Sequence, residues 1–209
     1  MSKEIFKVDF HGVRGSIPRP LLGEEIEEKL IQAFQRARPE NLADKNSIKS
    51  FVKGLPHEIR GTFGGNSSCV SMQVGSKLLI FDAGSGIRVL GESLMKTGFN
   101  RGEGRANLFF SHTHWDHING FPFFAPAFDP SRQFDIHAGH LKDEGGIQNV
   151  METQMQNPLF PVPLEAMQSN ITFHDFPAGK SLDIGKSKHT KVKTAPLHHP
   201  NDATGYRIE

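Results

Sequence analysis

Residues 111–117 read SHTHWDH: three imidazoles and a carboxylate, directly after the apolar run Leu108-Phe109-Phe110. A neutral imidazole presents a nitrogen lone pair, and Asp116 adds a hard anionic oxygen. These are the donors that a divalent transition ion takes. His112 and His114 stand two apart in a segment leaving a predicted strand. In extended backbone, alternate side chains fall on one face, so both can address one ion. Asp116 and His117 follow where the chain turns into a helix, and they are predicted to point elsewhere. The spacing therefore suits two adjacent ions, the first held by His112 and His114, the second by Asp116 and His117. The bland alternative is a solvated His-rich turn, and the ordered set of donors argues against it.

Working outward, 209 residues are enough for one domain with a sizeable core. Net charge is +1, with 24 basic and 23 acidic side chains interspersed. That balance argues against a dedicated polyanion-binding surface and makes nucleic acid an unfavoured partner. The segment MSKEIFKVDFHGVRG has no apolar signal core, and no stretch approaches about eighteen uninterrupted apolar residues. The lone Cys69 cannot form an internal disulfide. A cytoplasmic protein without a membrane span is the expectation. With 17 Phe against one Trp and one Tyr, phenylalanine is expected to do much of the packing.

Periodicity gives the elements. Residues 4–10, EIFKVDF, alternate as in a half-buried strand. Residues 24–38 read as a helix with Ile26, Leu30, Ile31 and Phe34 on one face, glutamates at its start, arginines at its end and Pro39 as its stop. A second helix is predicted over 44–53, with Ile48, Phe51 and Val52 inward. A Gly-rich loop then leads to strands near 69–74 and 78–82, joined at Gly75-Ser76. A helix is predicted over 86–97, a strand over 105–110, another strand over 133–138 and a helix over 146–156. Further strands are predicted over 171–176, 190–195 and 203–208. The alternation favours a layered α/β architecture, 1–209 as one domain with a helical insertion at about 21–60. In NGFPFFAPAF, most rings of Phe121, Phe123, Phe124 and Phe128 are assigned to the core. Trp115 and Cys69 are assigned to packing.

The motif His112-x-His114-x-Asp116-His117 resembles the signature of the metallo-β-lactamase-fold hydrolases. HGVRGSIP at 11–18, FGGNSSCV at 63–70, LLIFDAGSGIRVLG at 78–91, NPLFPVPL at 157–164 and APLHHPNDATGYRIE at 195–209 resemble its phosphodiesterase-like branch, which includes ribonuclease Z and cyclic-phosphate diesterases. The resemblance implies an α/β fold, a four-layer αβ/βα sandwich, with metals at one edge. It gives His112, His114 and His199 to the first metal, His199 being preferred to His198 because it directly precedes Pro200. His198 is then an outer partner. Asp116 and His117 go to the second metal. Asp82 is placed beneath the histidines, where it would accept a ring N–H and fix the tautomer. Asn66 is placed near the metals, on the substrate side. Full members carry a bridging aspartate and a last histidine beyond the point where this chain ends. The fold is therefore expected to be incomplete at the C-terminus, with the second metal loosely held or absent.

What this implies is a metal-dependent hydrolase that uses a metal-bound hydroxide on a small or cyclic phosphodiester, with Asp116 orienting the nucleophile. Two divalent ions, zinc first and manganese or iron as alternatives, would serve the intact site, and one of them this chain. Hydrolysis of a thioester or lactam at the same metals is an alternative. So is a non-catalytic metal- or ligand-binding domain. The motif GTFGGNSS at 61–68 lacks the Lys-Ser/Thr ending of a P-loop and reads as a tight connection. Arg14 has no assigned role, and His174, His189 and Asp202 are expected to be surface groups. A half-exposed strand at the end of the chain would invite a second copy, so a homodimer is expected.

Overall fold

The computed structural model describes residues 6–97, 104–141, 145–184 and 190–209. His189 lies outside the described residues. The chain divides into two compact units, residues 1–18 with 66–209, and residues 19–65.

The larger unit is built on a six-stranded sheet of β1 (Phe6–Gly12), β2 (Cys69–Val74), β3 (Lys77–Phe81), β4 (Arg105–Phe110), β5 (Gln133–Ala138) and β6 (Asn170–Asp175), in that spatial order. Strands β1, β2 and β3 pair antiparallel, and β3 to β6 run parallel. The turn at Gly75-Ser76 closes the β2–β3 hairpin, with Gly75 at φ 58°, where a two-residue hairpin needs the left-handed region. The parallel strands require crossovers, and helices supply two of them: Gly86–Thr97 after β3 and Gly146–Gln154 after β5.

Alternation along the strands sorts the two faces. Ala106, Leu108 and Phe110 of β4 point to the helical side, where they are buried with Ile80, Ile87 and Ile136 in the main core. Leu79 and Phe109 point the other way, onto Ile184 and Val192. Those residues belong to a three-stranded antiparallel sheet of β7 (Ser181–Asp183), β8 (Lys191–Leu197) and β9 (Ala203–Ile208), or adjoin it. Helices, the six-stranded sheet and the three-stranded sheet thus stack as an α/β sandwich. Phe121 and Phe124 are buried, as is Cys69, but Phe123 is exposed and Trp115 is 60% exposed. The assignment of Trp115 to packing is therefore corrected. It opens a single helical turn whose inner side is taken by Asp116 and Ile118, both buried, which leaves its indole outward.

The smaller unit holds α1 (Gly23–Arg36), α2 (Lys45–Gly54) and α3 (His57–Arg60). The Asp44 carboxylate caps α2 by accepting from the N–H groups of Asn46 and Ser47 at 2.7 and 2.9 Å. Ile48 and Val52, expected inward, are exposed, and of the unit's apolar side chains Leu55 and Ile59 are the buried ones. A helical unit this short has too little interior to enclose every apolar face.

On the sheet face away from the helices, His137 of β5 is buried, only 8% exposed. It stacks on Phe109 and on His174, with ring centroids 4.6 and 4.8 Å apart. Burial, and then the neighbouring His174, push its pKa from 6.5 down to about 4, against a smaller pull from Asp135. Between those pH values the folded chain keeps this ring neutral while the unfolded chain takes up a proton. The stability it contributes is whole above pH 6.5 and is lost as the pH falls toward 4, by about 3 kcal/mol. Thermal melts of the metal-free protein across that window should show the loss, and His137→Asn should flatten it.

Candidate metal centre

Strand β3 delivers its last residue to Asp82, whose φ is 60°. This left-handed conformation is one that a short polar side chain tolerates better than most. The buried carboxylate accepts from the Ser111 N–H at 2.8 Å, from the Ser111 hydroxyl at 2.9 Å and from the Ser68 hydroxyl at 3.3 Å. It also accepts from Nδ1 of His117 at 2.8 Å. An ionised carboxylate only accepts, so Nδ1 carries a proton, and in the neutral ring Nε2 keeps its lone pair. That Nε2 lies 3.4 Å from Oδ2 of Asp116. Oδ2 in turn accepts the backbone N–H of Ser16 at 2.7 Å.

Asp116 and His117 sit on the single helical turn Trp115–Ile118, closed by the His117 N–H donating to the His114 carbonyl at 2.9 Å. One turn returns His117 to the side of the histidines before it, since residues three apart share a helix face. Its ring centroid is 4.0 Å from that of His112, so it does not point away from the first pair as the local spacing predicts. The turn is pressed against the β3 exit. A Cβ on Gly84 would stand 2.3 Å from the Asp116 carbonyl oxygen, and one on Gly120 would stand 2.1 Å from that of Gly84. Only glycine permits backbones this close.

His199 arrives from the β8–β9 connection. The Thr204 N–H donates to the Ser111 carbonyl at 2.7 Å, and the Tyr206 hydroxyl donates to that of Phe110 at 2.7 Å. These two bonds tie β9 to the end of β4 and bring its leading loop over the histidines. His112, His114 and His199 then offer ring nitrogens that all lie within 4.8 Å of one another, the group of three metal-competent donors found among the described residues. Their ring centroids are 4.4 to 4.8 Å apart, and Nε2 of His199 is 3.1 Å from Nδ1 of His114. Burial first, and then the neighbouring imidazoles, hold His112 down at about 4 against the opposing charge of Asp82. His117 is also lowered by burial, but the Asp82 hydrogen bond and charge outweigh this and raise it. A neutral, desolvated imidazole facing two others is a donor set that fits a divalent transition ion. Asp116 and His117 stand beside this group, and no third donor completes a second cluster around them among the described residues.

The other assigned residues fall less centrally. His198 is exposed and lies outside the cluster. Asn66 accepts the N–H groups of Val13 and Arg14 at its carbonyl, both at 3.0 Å, and its side-chain oxygen accepts from the Ser85 hydroxyl at 3.1 Å. His174 is bonded to Asp135 at 2.9 Å, and Asp202 is exposed. Sequence reasoning missed Ser16, Ser68 and Ser111, which surround the two carboxylates but follow no periodic signal. It also missed His140, whose Nε2 is 3.3 Å from the Thr113 hydroxyl. The His140 Nδ1 is buried without a hydrogen-bond partner among the described residues.

No family model matches the chain. It is 32% identical over 136 residues to ribonuclease BN of Escherichia coli (strain SE11) and, with the same figures, to that of Shigella boydii serotype 18. The matched stretch is 64% of this chain and 39% of those proteins, so the match spans about two fifths of these curated relatives. Three solved structures share the architecture at low identity. A diphosphatase from the PhnP family superposes with a TM-score of 0.56 at 15% identity, covering 98% of this chain and 62% of that one. The metallo-β-lactamase fold protein YhfI from Bacillus subtilis gives 0.52 at 16%, covering 99% and 58%. Human tRNase Z, short form, gives 0.52 at 15%, covering 98% and 65%. No helix is long and apolar enough to cross a membrane among the described residues. The sandwich, the strand order and these superpositions make this a metallo-β-lactamase-fold protein, related in sequence to ribonuclease BN, with a three-histidine cluster suited to a metal ion.

Proposed function

We propose that this chain is a metal-dependent hydrolase acting on a small or cyclic phosphodiester. The observation that carries the reading is the convergence of His112, His114 and His199, whose ring nitrogens all lie within 4.8 Å of one another. These three would hold one divalent ion, zinc first, with Asp116 and His117 available to a second. A bound divalent ion supplies a Lewis acid and lowers the pKa of a coordinated water toward neutrality.

The chain's own residues have definable tasks around it. Asp82 holds His117 in the tautomer that presents Nε2 to the site. Asp116, fixed by the Ser16 N–H, can accept a proton from water and orient it. Through its backbone carbonyl, Asn66 secures the segment just before Ser16. The phosphodiester preference is supported by the ribonuclease BN similarity and by the likeness to a diphosphatase and a tRNase among the solved structures. The near-neutral charge favours a small substrate over a long polyanion.

With added zinc or manganese, hydrolysis of bis(p-nitrophenyl) phosphate is expected, and its loss in His114→Ala. Turnover of a thioester or lactam alone would overturn the phosphodiester reading. A folded protein that takes up no metal would overturn the hydrolase reading as well.

A further inference from the structure

Asn66, Ser67 and Ser68 lead into β2, and each reaches a different support of Asp116 and His117. The Asn66 carbonyl holds Val13 and Arg14, in the segment that brings the Ser16 N–H to Oδ2 of Asp116. The Ser68 hydroxyl donates to Asp82, the carboxylate that fixes the tautomer of His117. Ser67, between them, is fully buried.

A serine hydroxyl has one proton to give and can also accept. That of Ser67 donates to the side-chain oxygen of Asn119 at 3.3 Å and accepts the Ser85 N–H at 2.9 Å. The Ser67 N–H donates in return to the Ser85 hydroxyl at 3.0 Å. Both partners border the turn Trp115–Ile118. Asn119 ends it, its own N–H donating to the Trp115 carbonyl at 2.9 Å. Ser85 lies two residues beyond Ala83, which donates to the His117 carbonyl at 2.7 Å and accepts from the Gly120 N–H at 2.8 Å. A Cβ on Gly84 would stand 2.6 Å from Oγ of Ser67 and 2.3 Å from the Asp116 carbonyl oxygen, so both oxygens pack against one α-carbon. One buried hydroxyl thus fastens the turn at its end and braces the backbone on which it rests.

Nε2 of His117 and Oδ2 of Asp116 are 3.4 Å apart. Two ligands about 2.0–2.1 Å from a tetrahedral ion stand about 3.3–3.4 Å from each other. The pair is therefore already at the spacing of a shared ion. We infer that Ser67 is a positioning residue, which through Asn119 and Ser85 holds the turn of Asp116 and His117 at the spacing a shared ion requires. The inference rests on the reading of those two residues as ligands of a second ion.

Two measurements on the full chain test it, comparing Ser67→Ala with wild type. In the metal-free protein, amide hydrogen exchange at Ala83, Ser85 and Gly120 should accelerate at least about tenfold more than in the central strand β5, since a local loosening opens the turn and not the sheet. A merely structural loss would accelerate both alike. In a zinc titration, the ion held by His112, His114 and His199 should keep its affinity within about twofold, while the second should bind about 10–100-fold more weakly. Asn119→Ala should reproduce part of both effects, and adding it to Ser67→Ala should change little, because the two share one bond. Turn amides that accelerate no more than β5, a wild-type chain that takes up a single ion, or a second ion bound equally by variant and wild type would overturn the inference. In each of these cases hydrolysis by the wild type would leave the proposed function standing. A wild-type chain that takes up no ion would overturn both.

Discussion

Replacing His112 by alanine is expected to lower zinc affinity by at least about 100-fold, more than the loss of an outer hydrogen-bond partner commonly costs. His112 is the buried member of the cluster, and its ring contacts both His114 and His199. Removing it leaves two donors on more exposed positions, which cannot enclose an ion. The same substitution removes a desolvated imidazole that is held neutral at about pKa 4, so the metal-free fold should tolerate it better than the metal site does. A competition titration with a chromophoric chelator reads the affinity, and melts with and without metal separate it from stability. His199→Ala should fall with His112→Ala, whereas His198→Ala should keep wild-type affinity, because His198 is exposed and outside the cluster. Equal loss in both neighbours would count against the geometry described here.

Asp82→Ala is expected to destabilise the larger unit by about 3–5 kcal/mol, the cost of stranding buried donors and a buried charge partner. Four donors converge on that carboxylate: the Ser111 N–H, the Ser111 and Ser68 hydroxyls, and Nδ1 of His117. For a chain of this size the loss corresponds to a fall in melting temperature of about 10 °C. Asp82→Gly should recover part of it, since glycine relieves the φ of 60° without restoring any bond. Asp82→Asn keeps the shape and tolerates the conformation, but it no longer commits His117 to one tautomer. It should cost little stability while lowering metal affinity by about 10–100-fold. An Asp82→Ala protein as stable as wild type would mean that the carboxylate is not the anchor its contacts indicate.

Much of the fold is legible locally. The strands Cys69–Val74, Arg105–Phe110, Gln133–Ala138 and Ala203–Ile208 and the helix Gly86–Thr97 fall where periodicity puts them. The pairing of His112 with His114 follows from the same period of two. Short elements escape, because three residues or one turn leave no period to detect: β7 and α3 are examples. The helical turn after His114 is legible in the sequence, but the direction in which it returns His117, with its ring against that of His112, is not.

The sequence by itself determined where the chain is extended or helical, and which residues carry metal-ligand chemistry, because both are written in neighbouring side chains. Only the tertiary structure decided which distant residues share a site and which apolar faces are covered. His199 reaches His114 across 85 residues because β9 is bonded to the end of β4, and Asp82 meets His117 across 35 because β3 and β4 lie side by side. Phe6, Val8 and Phe10 alternate as faithfully as Ala106, Leu108 and Phe110, yet the first set is exposed and the second buried. Alternation defines two faces of a strand, and only the stacking of layers determines which of them meets another surface.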